Sequence, residues 1–177
     1  MAFRDRSRQS MKKNIFLNGF MGSGKSTIAR TLKEQYGMQL IEMDEQIEAE
    51  QGMKISDIFA AKGEEYFRGL ETALLVGLQN QDSTVVSCGG GVPMRACNVE
   101  AMKKSGKVVY LSADPETIYE RVRHFHNRPL LEGNMNVEYI TGLMNARLPK
   151  YLAAADVTVA TDGRSAAEIC REIMGQA

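Results

Sequence analysis

Gly19-Phe20-Met21-Gly22-Ser23-Gly24-Lys25-Ser26 fills every fixed position of the phosphate-binding loop pattern G-x-x-x-x-G-K-[ST], with Gly19, Gly24, Lys25 and Ser26 in register. Its flanks supply the context that pattern needs. The short apolar run Ile15-Phe16-Leu17 reads as a buried strand entering the loop, and residues 27–36 carry Ile28, Leu32 and Tyr36 at helical spacing beyond it. Glycines let the backbone turn its N–H groups toward an anion, and the start of a helix adds partial positive charge at the same point. Lys25 can then reach outer phosphates while the Ser26 hydroxyl ligates a magnesium ion.

Working outward, apolar strand-like runs alternate with helical patterns along the whole chain. Strands are expected at 39–43, 84–87, 107–111 and 157–159. Between them helices are expected at 44–51, 55–61, 64–78, 96–105, 114–124, from 137 onward with a break or bend at Pro149, and after the capping box Ser165-Ala-Ala-Glu168. Asp114-Pro115 reads as an N-cap with proline at the first helical position. This alternation predicts an α/β fold with a five-stranded parallel sheet covered by helices on both faces. Ligands of such sheets bind at the carboxyl ends of the strands. Those ends feed the phosphate loop, then Glu42 and Asp44, then the triplet Gly89-Gly90-Gly91, then Thr161-Asp-Gly-Arg164, so charge and glycine collect on one rim.

Composition narrows the field. With 22 Lys and Arg against 22 Asp and Glu over 177 residues, the chain offers no electrostatic reason to expect nucleic acid or an anionic membrane as partner. No stretch approaches the apolar length of a membrane span. Cys88, Cys97 and Cys170 lack metal-ligand spacing and read as reduced thiols of a cytoplasmic protein. Residues 1–12 are polar and Arg-rich without an apolar signal region, which predicts a disordered tail ahead of a single domain at 13–177. A monomer is the default expectation.

Six blocks together resemble the shikimate kinase family: GFMGSGKST, Glu42-x-Asp44, FRxLE at 67–71, SCGGG at 87–91, RPLL at 128–131 and ARLPKY at 146–151. They span Gly19 to Tyr151 in the family's order, with Arg164 beyond them completing the stretch that the resemblance covers. The resemblance implies a P-loop fold of the nucleoside monophosphate kinase kind, with a substrate-binding segment near 44–78 and a lid near 123–136. It implies transfer of the γ-phosphoryl group of ATP, with Mg²⁺, to the 3-hydroxyl of shikimate. Gly22, Ser23, Gly24, Lys25, Ser26 and Thr27 would hold the nucleotide phosphates, with Ser26 on the metal. Lys25, Asp44 and the lid residue Arg128 would carry the chemistry, and Arg128 and Arg164 would also contact the nucleotide, with Arg121 a further contact. Asp44, Arg68, Gly89, Gly90, Gly91 and Arg147 would bind the substrate.

Each of these residues has a plainer alternative. Asp44 could cap a helix, Arg68 could pair with Glu64 and Glu71 on a surface, Arg147 could be an exposed helix charge, and the glycines a flexible turn. Against that, a guanidinium among Phe59, Phe67 and Leu70 suits bidentate capture of a carboxylate. Glu42 stands where the family usually carries Asp near the magnesium water shell, and is one methylene longer. His124 and His126 read as solvated loop histidines, because phosphoryl transfer needs no imidazole here. Another small-molecule P-loop kinase (for gluconate or a nucleoside monophosphate) and a non-catalytic nucleotide switch are the competing readings.

Overall fold

The computed structural model describes residues 13–125, 131 and 133–176. The expected tail at 1–12, and His126, Arg128 and most of the RPLL block within the expected lid, lie outside the described residues.

Five parallel strands, β1 (Asn14–Asn18), β2 (Gln39–Glu42), β3 (Thr84–Ser87), β4 (Gly106–Ser112) and β5 (Val157–Ala160), form one sheet in the order β2-β3-β1-β4-β5. Period-two alternation explains why helices cover both faces. Ile15, Leu17, Val85, Val109 and Leu111 point into one apolar layer, under α1 (Lys25–Tyr36) and α8 (Ala166–Gln176). Their neighbours Phe16, Val86 and Val108 point into the other, against α4 (Glu64–Gly77), α5 (Ala96–Ser105) and the end of α7 (Val137–Ala154). The remaining helices are α2 (Met43–Gln51), α3 (Ile55–Lys62) and α6 (Pro115–Val122).

The order places the site. The chain leaves β1 for β2 at one edge, returns through β3, then crosses β1 to β4, so β1 lies where the connections diverge in opposite directions. The crevice at the carboxyl end of β1 is the binding position that open α/β sheets provide.

Several expectations shift. The second strand stops at Glu42, and Met43, fully buried, already belongs to α2. Asp44 therefore sits in the first helical turn rather than at the strand end or the cap. Asp114 occupies the N-cap position of α6 without capping through its side chain, and its own N–H donates to Asp162 Oδ1 at 3.0 Å. The helix ends at Val122 instead of 124. α7 runs as one helix through Pro149, because Ile140 before it and Tyr151 and Ala154 after it are all buried and hold both halves to the core. A short 3₁₀ turn at Val92–Met94, with Pro93 inside it, was not expected. The capping box forms as read: Ser165 N–H donates to Glu168 Oε2 at 2.8 Å, and Glu168 N–H donates to Ser165 Oγ at 3.2 Å.

Candidate active site

A cleft of about 760 Å³ opens at the carboxyl ends of β1, β2 and β3. The phosphate loop forms its floor. Gly19, Gly22 and Gly24 all take positive φ (157°, 78° and 99°), a conformation costly for any residue with a Cβ. Gly22 is also short of space, since a Cβ there would lie 2.6 Å from Val122 Cγ1 on α6. Lys25 and Ser26 open α1 directly from the left-handed Gly24. Lys25 Nζ donates to the Gly19 and Phe20 carbonyls at 2.7 and 3.1 Å, folding back over its own loop. Ser23 is buried, and among the described residues its hydroxyl has no hydrogen-bond partner.

Ser26 Oγ donates to Glu42 Oε2 at 3.0 Å and lies 3.5 Å from Ser87 Oγ. The extra methylene of Glu42 thus brings its carboxylate onto the loop serine itself. These are hard oxygen donors of the kind magnesium accepts, and such sites draw most of their ligands from phosphate and water. Among the described residues no group of three or more His, Cys, Asp or Glu could hold a metal alone.

Opposite the loop, the three glycines after β3 are each faced by a different side chain. A Cβ at Gly89 would sit 3.0 Å from Glu71 Oε1 and 3.3 Å from Asp44 Oδ1. One at Gly90 would meet Arg147 Nη1 at 3.1 Å and Tyr151 Oη at 3.6 Å. One at Gly91 would meet Arg68 Nη1 at 2.7 Å. Gly91 has φ −91°, open to any residue, so space rather than backbone conformation requires glycine there. The turn draws together Asp44 from α2, Arg68 and Glu71 from α4 and Arg147 from α7, residues scattered over more than a hundred positions of sequence.

Arg68 is fixed before any ligand arrives. Its guanidinium pairs with Glu71 at 2.9 Å and Glu64 at 3.3 Å and lies over the Phe67 ring, 5.4 Å from the centroid. Burial works against its charge, but the hydrogen bonds and charges of Glu71 and Glu64 outweigh it and hold the group above the usual arginine value. Glu71 is 1% exposed. Burial pushes its carboxyl up, with the Asp44 charge acting in the same direction, against the hydrogen bond and charge of Arg68. The surface-pairing alternative holds for the Glu64 contact and fails for Glu71.

Arg164 does not line the main cleft. It borders a hollow of about 200 Å³ that shares Gly24, Thr27 and Arg121 with the main cleft. Its guanidinium pairs with Glu172 at 2.6 Å and donates to the Ala160 carbonyl at 2.9 Å. Arg121 bridges the two spaces, donating to the Gly22 carbonyl at 3.0 Å and to Thr161 Oγ1 at 3.2 Å. Thr161 was placed on the rim by its sequence position, but its contact with Arg121 was not foreseen. Tyr151 closed the ARLPKY block, at i+4 from Arg147, but was given no role there. His124 is exposed and accepts from Arg123 Nε at 3.2 Å. Burial raises the Cys88 and Cys170 thiols, Cys170 to about 11, so neither is a nucleophile.

A strand, a glycine-lined anion loop and a helix bearing Lys and Ser, opposed by a fixed arginine and a carboxylate, define a P-loop phosphotransferase built for a small anionic acceptor. Comparison with known proteins narrows this class. The family model for shikimate kinase matches residues 21–177. The shikimate kinase of Persephonella marina is 42% identical over 164 residues, covering 93% of this chain and 98% of that protein. The shikimate kinase of Acinetobacter baumannii, solved in complex with shikimate, superposes with a TM-score of 0.84 at 35% identity, covering 92% and 91% of the two chains. A gluconokinase from Sinorhizobium meliloti reaches a TM-score of 0.56 at 20% identity over 95% and 93%, a likeness of fold alone. This chain belongs to the shikimate kinase family.

Proposed function

We propose that the charged groups around the glycine triplet and the phosphate loop divide the work of one phosphoryl transfer between them. The chain catalyses ATP-dependent phosphorylation of shikimate, with Mg²⁺, and the 3-hydroxyl is the acceptor. Arg68 and Arg147 hold the substrate carboxylate. Asp44, across Gly89 from Glu71, accepts a hydrogen bond from the reacting hydroxyl and takes its proton as the hydroxyl oxygen bonds to the γ-phosphorus. The bond from that phosphorus to the bridging oxygen breaks, and ADP leaves. Lys25 exchanges the carbonyls of Gly19 and Phe20 for phosphate oxygens, and the backbone from Gly22 to Thr27 cradles the phosphates. A magnesium ion beside Ser26, with Glu42 behind it, would neutralise phosphate charge.

Arg128 supplies further positive charge, and the segment near 123–136 to which it belongs acts as the lid. The segment at 44–78 acts as the acceptor-binding part of a single domain. Arg121 and Arg164 flank the nucleotide on the far side of the loop. Among the described residues no helix is long and apolar enough to cross a membrane, and a cytoplasmic monomer is the simplest form for this reaction.

The observation that carries the reading is that Arg68, Arg147 and the Asp44–Glu71 pair each abut one glycine of a single triplet, in the cleft that holds Lys25. ADP release measured with shikimate, gluconate and nucleoside monophosphates in turn tests it. Turnover with shikimate is expected. Turnover with another acceptor alone, or ATP binding without acceptor-dependent ADP formation, overturns it.

A further inference from the structure

Tyr151 is 1% exposed, a large side chain whose burial is complete yet whose hydroxyl must be satisfied inside the protein. The hydroxyl donates to the Gly90 carbonyl at 2.7 Å. The ring is gripped from the sheet by Tyr110 of β4, stacked with centroids 5.2 Å apart and planes 7° from parallel. Arg147 and Tyr151 are four residues apart in α7, which puts them on one face of that helix. Both reach the same glycine: the Cβ position of Gly90 lies 3.1 Å from Arg147 Nη1, 3.6 Å from Tyr151 Oη and 3.8 Å from the Gly19 carbonyl. The guanidinium is near enough to act on the phenol through its charge and a side-chain hydrogen bond, opposing the upward push of burial. One hydroxyl therefore stands where helix α7, the glycine turn and the first residue of the phosphate loop converge.

We propose that Tyr151 is a positioning residue for the acceptor site, its hydroxyl locking the Gly90 peptide and thereby setting the Arg147 guanidinium for the substrate carboxylate. This rests on the reading of Arg147 given above. A hydroxyl needed for packing alone would not have to meet a carbonyl that borders the cleft.

The test is Tyr151→Phe in the full chain, which keeps the stacked ring and the buried volume and removes one oxygen. Steady-state kinetics with both substrates are compared for the wild type, Tyr151→Phe, Arg147→Ala and the double variant. The expected result for Tyr151→Phe is a shikimate KM raised about 5- to 10-fold, the scale of one lost hydrogen bond between neutral groups, with ATP KM within about twofold and no further rise in the Arg147→Ala background. KM is a property of the folded fraction, so partial unfolding would lower apparent kcat and leave it in place. An unchanged shikimate KM in Tyr151→Phe, while Arg147→Ala raises it, overturns the positioning role and leaves the Arg147 reading intact. An equal rise in both KM values, or a full additive rise in the double variant, also overturns it. If Arg147→Ala itself leaves shikimate KM unchanged, the Arg147 reading fails and the inference with it.

Discussion

Gly91→Ala should separate substrate recognition from folding. At φ −91° and ψ −4° alanine is unstrained, and the substitution trims the freedom of the unfolded chain by about 0.4–1 kcal/mol. The new methyl, however, would sit 2.7 Å from Arg68 Nη1, 2.8 Å from Nη2 and 2.9 Å from Cζ. To reach the 3.4 Å of ordinary contact the guanidinium must retreat from 2.7 Å by about 0.7 Å. Taken along either ion pair, that shift stretches the 2.9 Å contact with Glu71 or the 3.3 Å contact with Glu64 beyond the reach of about 3.5 Å at which a hydrogen bond survives. A hydrogen bond to a charged group contributes about 1.5–3 kcal/mol, so shikimate KM should rise about 10- to 100-fold. The three atoms nearest the added methyl all belong to Arg68, and ATP KM should stay within about twofold of wild type, a margin set by the independence of distant sites. Net loss of stability in urea should stay under about 2 kcal/mol, because the displaced group is the end of a flexible side chain. Arg68→Ala sets the ceiling for the kinetic effect. Coupled ADP-release kinetics decide the matter: a Gly91→Ala enzyme with wild-type shikimate KM, or with both KM values raised alike, refutes the claim that Gly91 exists to seat Arg68.

Three more outcomes follow from the same geometry. Lys25→Met should cut kcat by about 10³ or more, on the scale of losing a preorganised charge at the transferring group, with a thermal midpoint within about 4 °C of wild type; undiminished turnover would contradict the phosphate-loop assignment. Gly22→Ala combines positive φ with a Cβ 2.6 Å from Val122 Cγ1 and should cost about 2–4 kcal/mol by urea denaturation and weaken ATP binding. Adding Val122→Ala should restore part of the loop geometry, and no coupling between the two substitutions would show that α6 does not brace the loop. Glu168 is held below its ordinary 4.5, chiefly by the Ser165 backbone N–H and then by its hydroxyl. A carboxyl with a lowered folded value stabilises above its unfolded value and loses that contribution as pH falls through the folded one. Glu168→Gln should therefore be less stable than wild type near neutral pH, and the difference should shrink below about pH 4.5; a difference independent of pH would rule out the charged capping box.

The phosphate loop and the strands around it were legible because their signals are local. Buried parallel strands are short β-branched runs, and Gly24-Lys25-Ser26 states its own backbone and chemistry. Strand order was not legible, since nothing local in 84–87 says that it enters between its two predecessors. Asp44 slipped from strand end to first helical turn because Met43, which reads as the last apolar residue of a strand, is buried by α2 instead. The glycine triplet announced a need for space, and its likeliest occupant in sequence was a ligand. The structure fills that space with Arg68, Arg147, Glu71 and Asp44, contacts between residues tens of positions apart that no periodicity records. Tyr151 hid inside ARLPKY because a buried tyrosine at i+4 looks the same whether its hydroxyl meets a cleft-lining carbonyl or an inert one.

The arrangement bears on how a chain of zero formal charge can bind a triphosphate and a carboxylate in one cleft. A bare arginine at the cleft wall would hold a counterion or swing through solvent, and ordering it at each turnover would cost side-chain entropy. Arg68 avoids this through Glu71, whose burial makes its negative charge costly unless the guanidinium stays beside it. In the proposed function the substrate carboxylate would then meet a fork already oriented, with Glu71 still satisfying the side facing the core. Arg147 is steadied differently, by the neutral phenol of Tyr151 on the same helix face. One arginine is fixed by charge and the other by hydrogen bonding, so raising ionic strength should loosen neither much: the first pair is largely shielded from solvent, and among the described residues the second has no ion pair to screen. Both converge on a turn whose only side chains are hydrogen atoms, which lets three helices approach one strand end closely enough to surround a small acceptor molecule.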